Sequence, residues 1–187
     1  MRPVGLLALP LSLVLTGCSI GPTTASKPAA GLARSGVVRG GQQPIVGANI
    51  QLYAVGTTGD ASAATSLLNS AVQTDQSGSF SITSDYTCPS ASTEVYLVAT
   101  GGNPGLAAGT NNAGIAMMAA LGQCSSLGVS TFIFVDEVTT IGSLAALYPY
   151  MSSATHLGSG SGDSAQFASA FALVNEYTNT TDRKSVV

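Results

Sequence analysis

The chain has 187 residues, 45% of them hydrophobic and only 8% charged, with 22 glycines, one histidine and no tryptophan. That length suits one domain, or one domain with a small extension. With Arg2 and the terminal Asp182, Arg183 and Lys184 set aside, only Lys27, Arg34 and Arg39 face eight carboxylates, so there is no basic stripe and nucleic-acid binding by phosphate neutralisation is excluded. Low charge does not imply disorder here, because the apolar content is high and alternates with polar residues.

Met1 and Arg2 give a short positive start, and residues 4–15 form an apolar run. A bilayer span needs about 20 such residues, so the run fits a secretory signal better than a membrane helix. It ends in Leu15, Thr16, Gly17 and Cys18. This pattern resembles the bacterial lipoprotein signal, in which the cysteine is acylated and becomes the first residue. The resemblance implies a signal peptide over residues 1–17, lipidation at Cys18 and membrane attachment through the lipid. Ser19 in place of aspartate points to the outer membrane or cell surface. Residues 18–34, rich in Gly, Pro, Ser, Thr and Ala, are expected to form a flexible tether.

Removing Cys18 leaves Cys88 and Cys124, an even pair that reads as one disulfide in an oxidising compartment. The loop it closes is worth roughly 3–4.5 kcal/mol on the chain-entropy view. A metal site would need more ligands than this pair with His156, and none is expected.

Residues 35–100 read as a β module. Short strands are expected at residues 36–40 and at 49–55, where Ile50, Leu52 and Ala54 alternate with polar residues, and residues 72–82 read as a strand pair with Val72, Phe80 and Ile82 pointing one way. Between them Thr74, Asp75 and Gly78 form a hairpin turn, with Asp75 accepting backbone N–H groups and Gly78 taking a positive φ. Residues 94–100 are apolar on both faces, as a central strand would be. Gly36-Val37-Val38, Pro44-x-x-Gly47-Ala48-x-Ile50-x-Leu52, Thr74-Asp75-x-x-Gly78-x-Phe80-x-Ile82 and the run Tyr96 to Thr100 together resemble a carboxypeptidase regulatory-like domain. The resemblance implies a transthyretin-like, Ig-like antiparallel β-sandwich of a non-catalytic kind, with an elaboration around Cys88 and Pro89.

Residues 101–181 are expected to pack on that sandwich as an extension, making the whole α+β. Asn111 and Asn112 would cap a helix over residues 113–121 that Gly122 ends, with Met117, Met118 and Leu121 in the core. Residues 131–135 read as a strand. A helix capped by Thr139 or Thr140 follows, with Ile141, Leu144, Ala145 and Tyr148 on one face and Pro149 as its stop. A third helix starts at Asp163 or Ser164, with Phe167, Phe171 and Val174 as its buried stripe.

Chemistry-bearing patterns are sparse, and no cofactor is expected. Ser164 beside Asp163, with His156 nearby, is the only hydrolase-like set, and a helix cap accounts for it. Residues 158–162 read as a flexible loop, since the Gly-Lys-Ser/Thr of a phosphate cradle is missing. Asp136 and Glu137 fall on opposite faces of a strand end. Asp85, Tyr86, Tyr148 and Tyr150 are candidates for a sugar-stacking surface.

Residues 182–187 break from the charge-poor chain and resemble the translation of a common sequencing adapter, which implies a natural product continuing past Thr181. The expectation is a surface-anchored structural, adhesion or ligand-presenting module whose partner is a glycan or protein. The alternatives are a carbohydrate-binding module and a serine hydrolase built on Ser164 and His156.

Overall fold

The computed structural model describes residues 27–127 and 132–177, with side chains through Val174. Residues 1–17, expected to be a signal segment, Cys18 and residues 182–187 lie outside the described residues. The strands in chain order are β1 (Ala29–Ala30), β2 (Arg34–Gly40), β3 (Gln43–Pro44), β4 (Asn49–Ala54), β5 (Thr65–Ser66), β6 (Val72–Gln73), β7 (Ser79–Ile82), β8 (Thr87–Cys88), β9 (Glu94–Thr100), β10 (Ala116–Gln123) and β11 (Phe132–Val135). Helix α1 (Glu137–Leu147), strands β12 (Met151–Ser153) and β13 (His156–Leu157), and helix α2 (Ser164–Tyr177) complete a β-rich α+β fold.

Three layers follow from which way side chains point. One sheet runs β7-β2-β11, with β3 at the end of β2, and the other runs β10-β9-β4, with β5 and β6 along β4. Val38, Ile50, Leu52, Phe80, Ile82, Val95, Leu97, Ile133 and Val135 come from both sheets and form one buried cluster. Alternation sends Tyr96 and Val98 of β9, and Met118 and Ala120 of β10, to the opposite face. There they meet Leu147 of α1 and Phe167, Phe171 and Val174 of α2. Strand β9 is therefore apolar on both faces because it is covered on both. Each large side chain so buried contributes about 1.5–3 kcal/mol.

Several expectations are corrected. Residues 113–121 are not a helix: Ala116–Gln123 is a strand antiparallel to β9, pairing Met118 with Val98. The Ala-Met run favours a helix locally, but β9 lacks a neighbour on that side and pairing with it outweighs a propensity difference below about 1 kcal/mol per residue. Gly122, with φ of 82°, sits where the register shifts instead of at a helix end. From residues 101–181, β10 joins one sheet and β11 the other. The strands are not all antiparallel, since β11 runs parallel to β2, with Gly36 opposite Ile133. The last residues assigned to the tether are also part of the fold: Ala29 pairs with Cys88, Ala30 pairs with Thr87, and Arg34 is buried.

Helix α1 is turned over relative to expectation. Its cap is Asp136, whose side chain accepts from Thr139 N while the Thr139 hydroxyl meets the Asp136 backbone N–H. Val138, Ile141, Leu144 and Tyr148 are exposed, whereas Thr139, Gly142, Ser143 and Leu147 are buried. The reason is the edge of β10. The backbone N–H of Met118 donates to Thr140 Oγ1 at 3.1 Å, and that of Ala120 donates to Ser143 Oγ at 3.1 Å. Hydroxyls thus stand in for a further strand, which satisfies edge donors that would otherwise be buried without a partner. Replacing Ser143 by Ala removes this acceptor. It is expected to cost about 1–3 kcal/mol in urea unfolding, whereas Leu144→Ser on the exposed face should cost little. Equal effects of the two substitutions would contradict the edge-capping role.

Candidate functional site

The connection from β9 to β10 spans residues 101–115 without regular structure, a length that usually belongs to a functional loop. It is held firmly. Asn103 Oδ1 accepts from Gly105 N at 3.0 Å and Leu106 N at 2.6 Å, while its amide donates to the carbonyls of Leu106 and Ala107. Asn111 Oδ1 accepts from Gly102 N at 2.7 Å. The backbones of Val46 and Asn103 exchange two bonds, at 2.9 and 2.8 Å. Gly102 is obligatory, because φ is 96° and a Cβ would press on Ile45 and the Ala48 backbone.

Between this loop, the β3 segment and the tip of the 74–78 turn lies an open cleft of about 490 Å³. Gln43, Pro44, Gln76, Leu106, Thr110 and Asn111 line it, and no charged side chain does. The turn that carries Gln76 is rigid. Asp75 Oδ1 accepts from Ser77 N at 2.8 Å, Ser77 Oγ at 2.7 Å and Ser79 N at 2.9 Å. The Ser77 hydroxyl first, and then the Ser79 and Ser77 amides, hold the Asp75 carboxyl below its usual range. Gly78 has φ of 76°, and a Cβ there would stand 2.5 Å from Val38 O.

Cys88 and Cys124 form a disulfide with Cα atoms 6.5 Å apart. It ties β8 to the short helical turn Cys124–Ser126 after β10, where Cys124 N donates to Thr93 O at 2.9 Å.

The remaining candidates do not converge. His156 Nδ1 lies 3.1 Å from Ser153 Oγ and 3.2 Å from Thr155 Oγ1, while Ser164 Oγ donates to Ser161 O at 3.3 Å. Among the described residues, no hydrogen bond joins Ser164 to His156. The acidic pair opens a helix instead of ending a strand: Asp136 caps α1, and Glu137 Oε1 accepts from Gly41 N and so ties α1 to the β2–β3 turn. Tyr86 is buried with its hydroxyl on Leu32 O, and Tyr150 packs edge-on against Phe167; of the tyrosines considered for stacking, only Tyr148 stands out in solvent. The start of the 158–162 run is packed, contrary to its reading as a flexible loop. Gly158 bridges to Gly56, and Ser159 is buried and donates to Gly56 O at 3.1 Å.

Among the described residues, Arg34 and Glu94 are buried charged side chains that no sequence motif singles out. Arg34 donates to the carbonyls of Ala33 and Leu127. Glu94 lies at the start of β9 opposite Gln123, with Oε2 buried and unpartnered. Burial pushes its carboxyl up to about 7, against a smaller opposing effect of the Gln123 side chain. The available signal was a lone carboxylate opening an apolar run.

No protein-family model, curated protein or solved structure matches the chain.

Proposed function

We propose that this protein is a non-catalytic, lipid-anchored module of the bacterial cell envelope that presents a ligand-binding cleft away from the membrane. Its two facing sheets are read as a transthyretin-like sandwich of the carboxypeptidase regulatory-like kind, to which β11 adds a parallel strand. The observation that carries the proposal is the placement of the N-terminal end and the cleft at opposite poles. Strand β1 lies beside Cys88, which is bonded to Cys124 next to Thr93, just before β9 begins. The far end of β9 leads into the loop that walls the cleft, and the far end of β2 leads into Gln43. Seven-residue strands separate the two poles by roughly 20 Å. An acyl group on Cys18 would hold Ala29 within at most about 40 Å of the lipid surface, with the cleft outermost. Multiple acyl chains at about 0.8 kcal/mol per buried CH₂ make such an anchor stable.

The test is the intact mass of the protein from the membrane fraction, with and without reductant. The expected result is cleavage before Cys18, an added diacyl or triacyl mass, and a gain of about 2 Da on reduction of one disulfide. Unacylated protein in the soluble fraction would remove the anchor, and the proposed orientation with it.

A further inference from the structure

We infer that the cleft takes a neutral, hydroxyl-rich ligand, of which a short saccharide segment is the class that fits; this rests on the ligand-presenting reading above. Its volume of about 490 Å³ lies within the range of small-ligand sites, about 300–1,000 Å³. The lining carries no charge. The nearest carboxylate in sequence, Asp75, is occupied by Ser77 and Ser79. Arg39, paired with Pro44, turns its guanidinium to Gln42 O at 3.3 Å and does not line the cleft, so a charged ligand would lose hydration without gaining a counter-charge from the lining.

An apolar ligand fits no better. The side chains of Gln43, Gln76 and Thr110 make no hydrogen bond within the described protein, and Asn111 uses only its carbonyl oxygen. Covering these groups with hydrocarbon would strand several donors and acceptors. Each glutamine sets a donor and an acceptor side by side, and a pair of adjacent hydroxyls answers both. Pro44 and the half-exposed Leu106 supply small apolar surfaces for the C–H face of a ring.

A peptide would also be neutral, but it binds most readily by extending a sheet edge. The backbone groups of Val46 and Asn103 in this wall are already bonded to each other, so no ladder is offered there. The asparagine-locked loop is preorganised, which lowers the entropy lost on binding. With no aromatic ring in the lining, affinity is expected in the high micromolar to millimolar range.

The experiment titrates the whole 187-residue chain, held in a non-glycosidic detergent, with neutral hexose and N-acetylhexosamine oligosaccharides. Matched uronate and sulfated oligosaccharides and an uncharged, unstructured peptide serve as comparators. Saturable binding of a neutral oligosaccharide is expected. It should weaken about tenfold in Gln43→Ala and in Gln76→Ala, since one lost hydrogen bond of about 1.4 kcal/mol is a factor of ten. Both side chains are exposed, so the melting temperatures of the variants should match the parent. The inference is overturned by preference for the anionic oligosaccharides, by binding of the peptide alone, by full affinity in both variants, or by no saturable neutral binding up to about 10 mM. None of these outcomes depends on whether Cys18 is acylated. Failure of the anchor and failure of the cleft are thus separately visible.

Discussion

Reduction of the Cys88–Cys124 disulfide is expected to lower the melting temperature by roughly ten degrees. The bond spans 36 positions in sequence. On the chain-entropy relation, a loop of that size is worth about 4 kcal/mol at 25 °C. For a domain of this size, each kcal/mol moves the midpoint by about 2–4 °C. Both cysteines are buried, and Cys88 also faces Ala29 across the two-residue β1–β8 pair. Loss of the bond should therefore release the N-terminal strand first, visible as early amide exchange at residues 29–34. The Cys88→Ala/Cys124→Ala double variant should melt close to the reduced parent. If oxidised and reduced protein melt within about 2 °C of each other, the stabilising role assigned to the bond is wrong.

Glu94→Gln is expected to stabilise the protein at pH 8 and to change little at pH 5. In the native state burial raises the carboxyl to about 7, whereas an unperturbed group titrates near 4.5. The native state thus binds a proton that the unfolded chain has already lost. Below pH 4.5 both states are protonated and there is no penalty. As pH rises from 4.5 to about 7 the unfolded chain releases this proton while the buried carboxyl, with its Oε2 unpartnered, holds it, so stability falls by up to about 3 kcal/mol and levels off above 7. Glutamine keeps the shape without the charge. The measurement is the difference in melting temperature between variant and parent from pH 5 to pH 8. A difference independent of pH would rule out ionisation of Glu94 as its source. Asp75 works in the opposite sense: its lowered carboxyl stabilises the fold above pH 3.8, and that contribution is lost only in more acidic solution.

The sequence was most legible where one face of a strand or helix alternates cleanly. Ile50, Leu52, Phe80 and Ile82 point into the shared core, and Phe167, Phe171 and Val174 form the buried stripe of α2 as their spacing requires. The turn at Asp75 and Gly78 forms, but not as the expected hairpin: β6 before it pairs with β4 and β7 after it pairs with β2, so it carries the chain from one sheet to the other. Strand β10 was not legible, because alanine and methionine carry no period-2 signal and favour a helix in isolation. A hint was nonetheless present: β9 is apolar on both faces, as a central strand is, and a central strand needs a strand along each edge. The orientation of α1 was hidden for a different reason. Its buried side carries hydroxyls that answer a strand edge from another part of the chain, so a search for apolar stripes selects the exposed face. The cleft was illegible because its polar groups come from three separate segments, each of which reads alone as an ordinary turn or loop.

The position of β2 has a mechanical consequence. Force arriving from the N-terminal side enters at β1 and passes directly into β2, which is flanked by β7 on one side and β11 on the other. Pulled along its length, β2 is loaded in shear, so its bonds to both neighbours strain together instead of opening one after another. Opposite Ala29, Cys88 carries part of the load through its covalent bond to Cys124, at the end of the second sheet. A pull that would peel an edge strand is thus spread across both sheets, and the folded body should yield as a unit, at a rate set by its unfolding barrier.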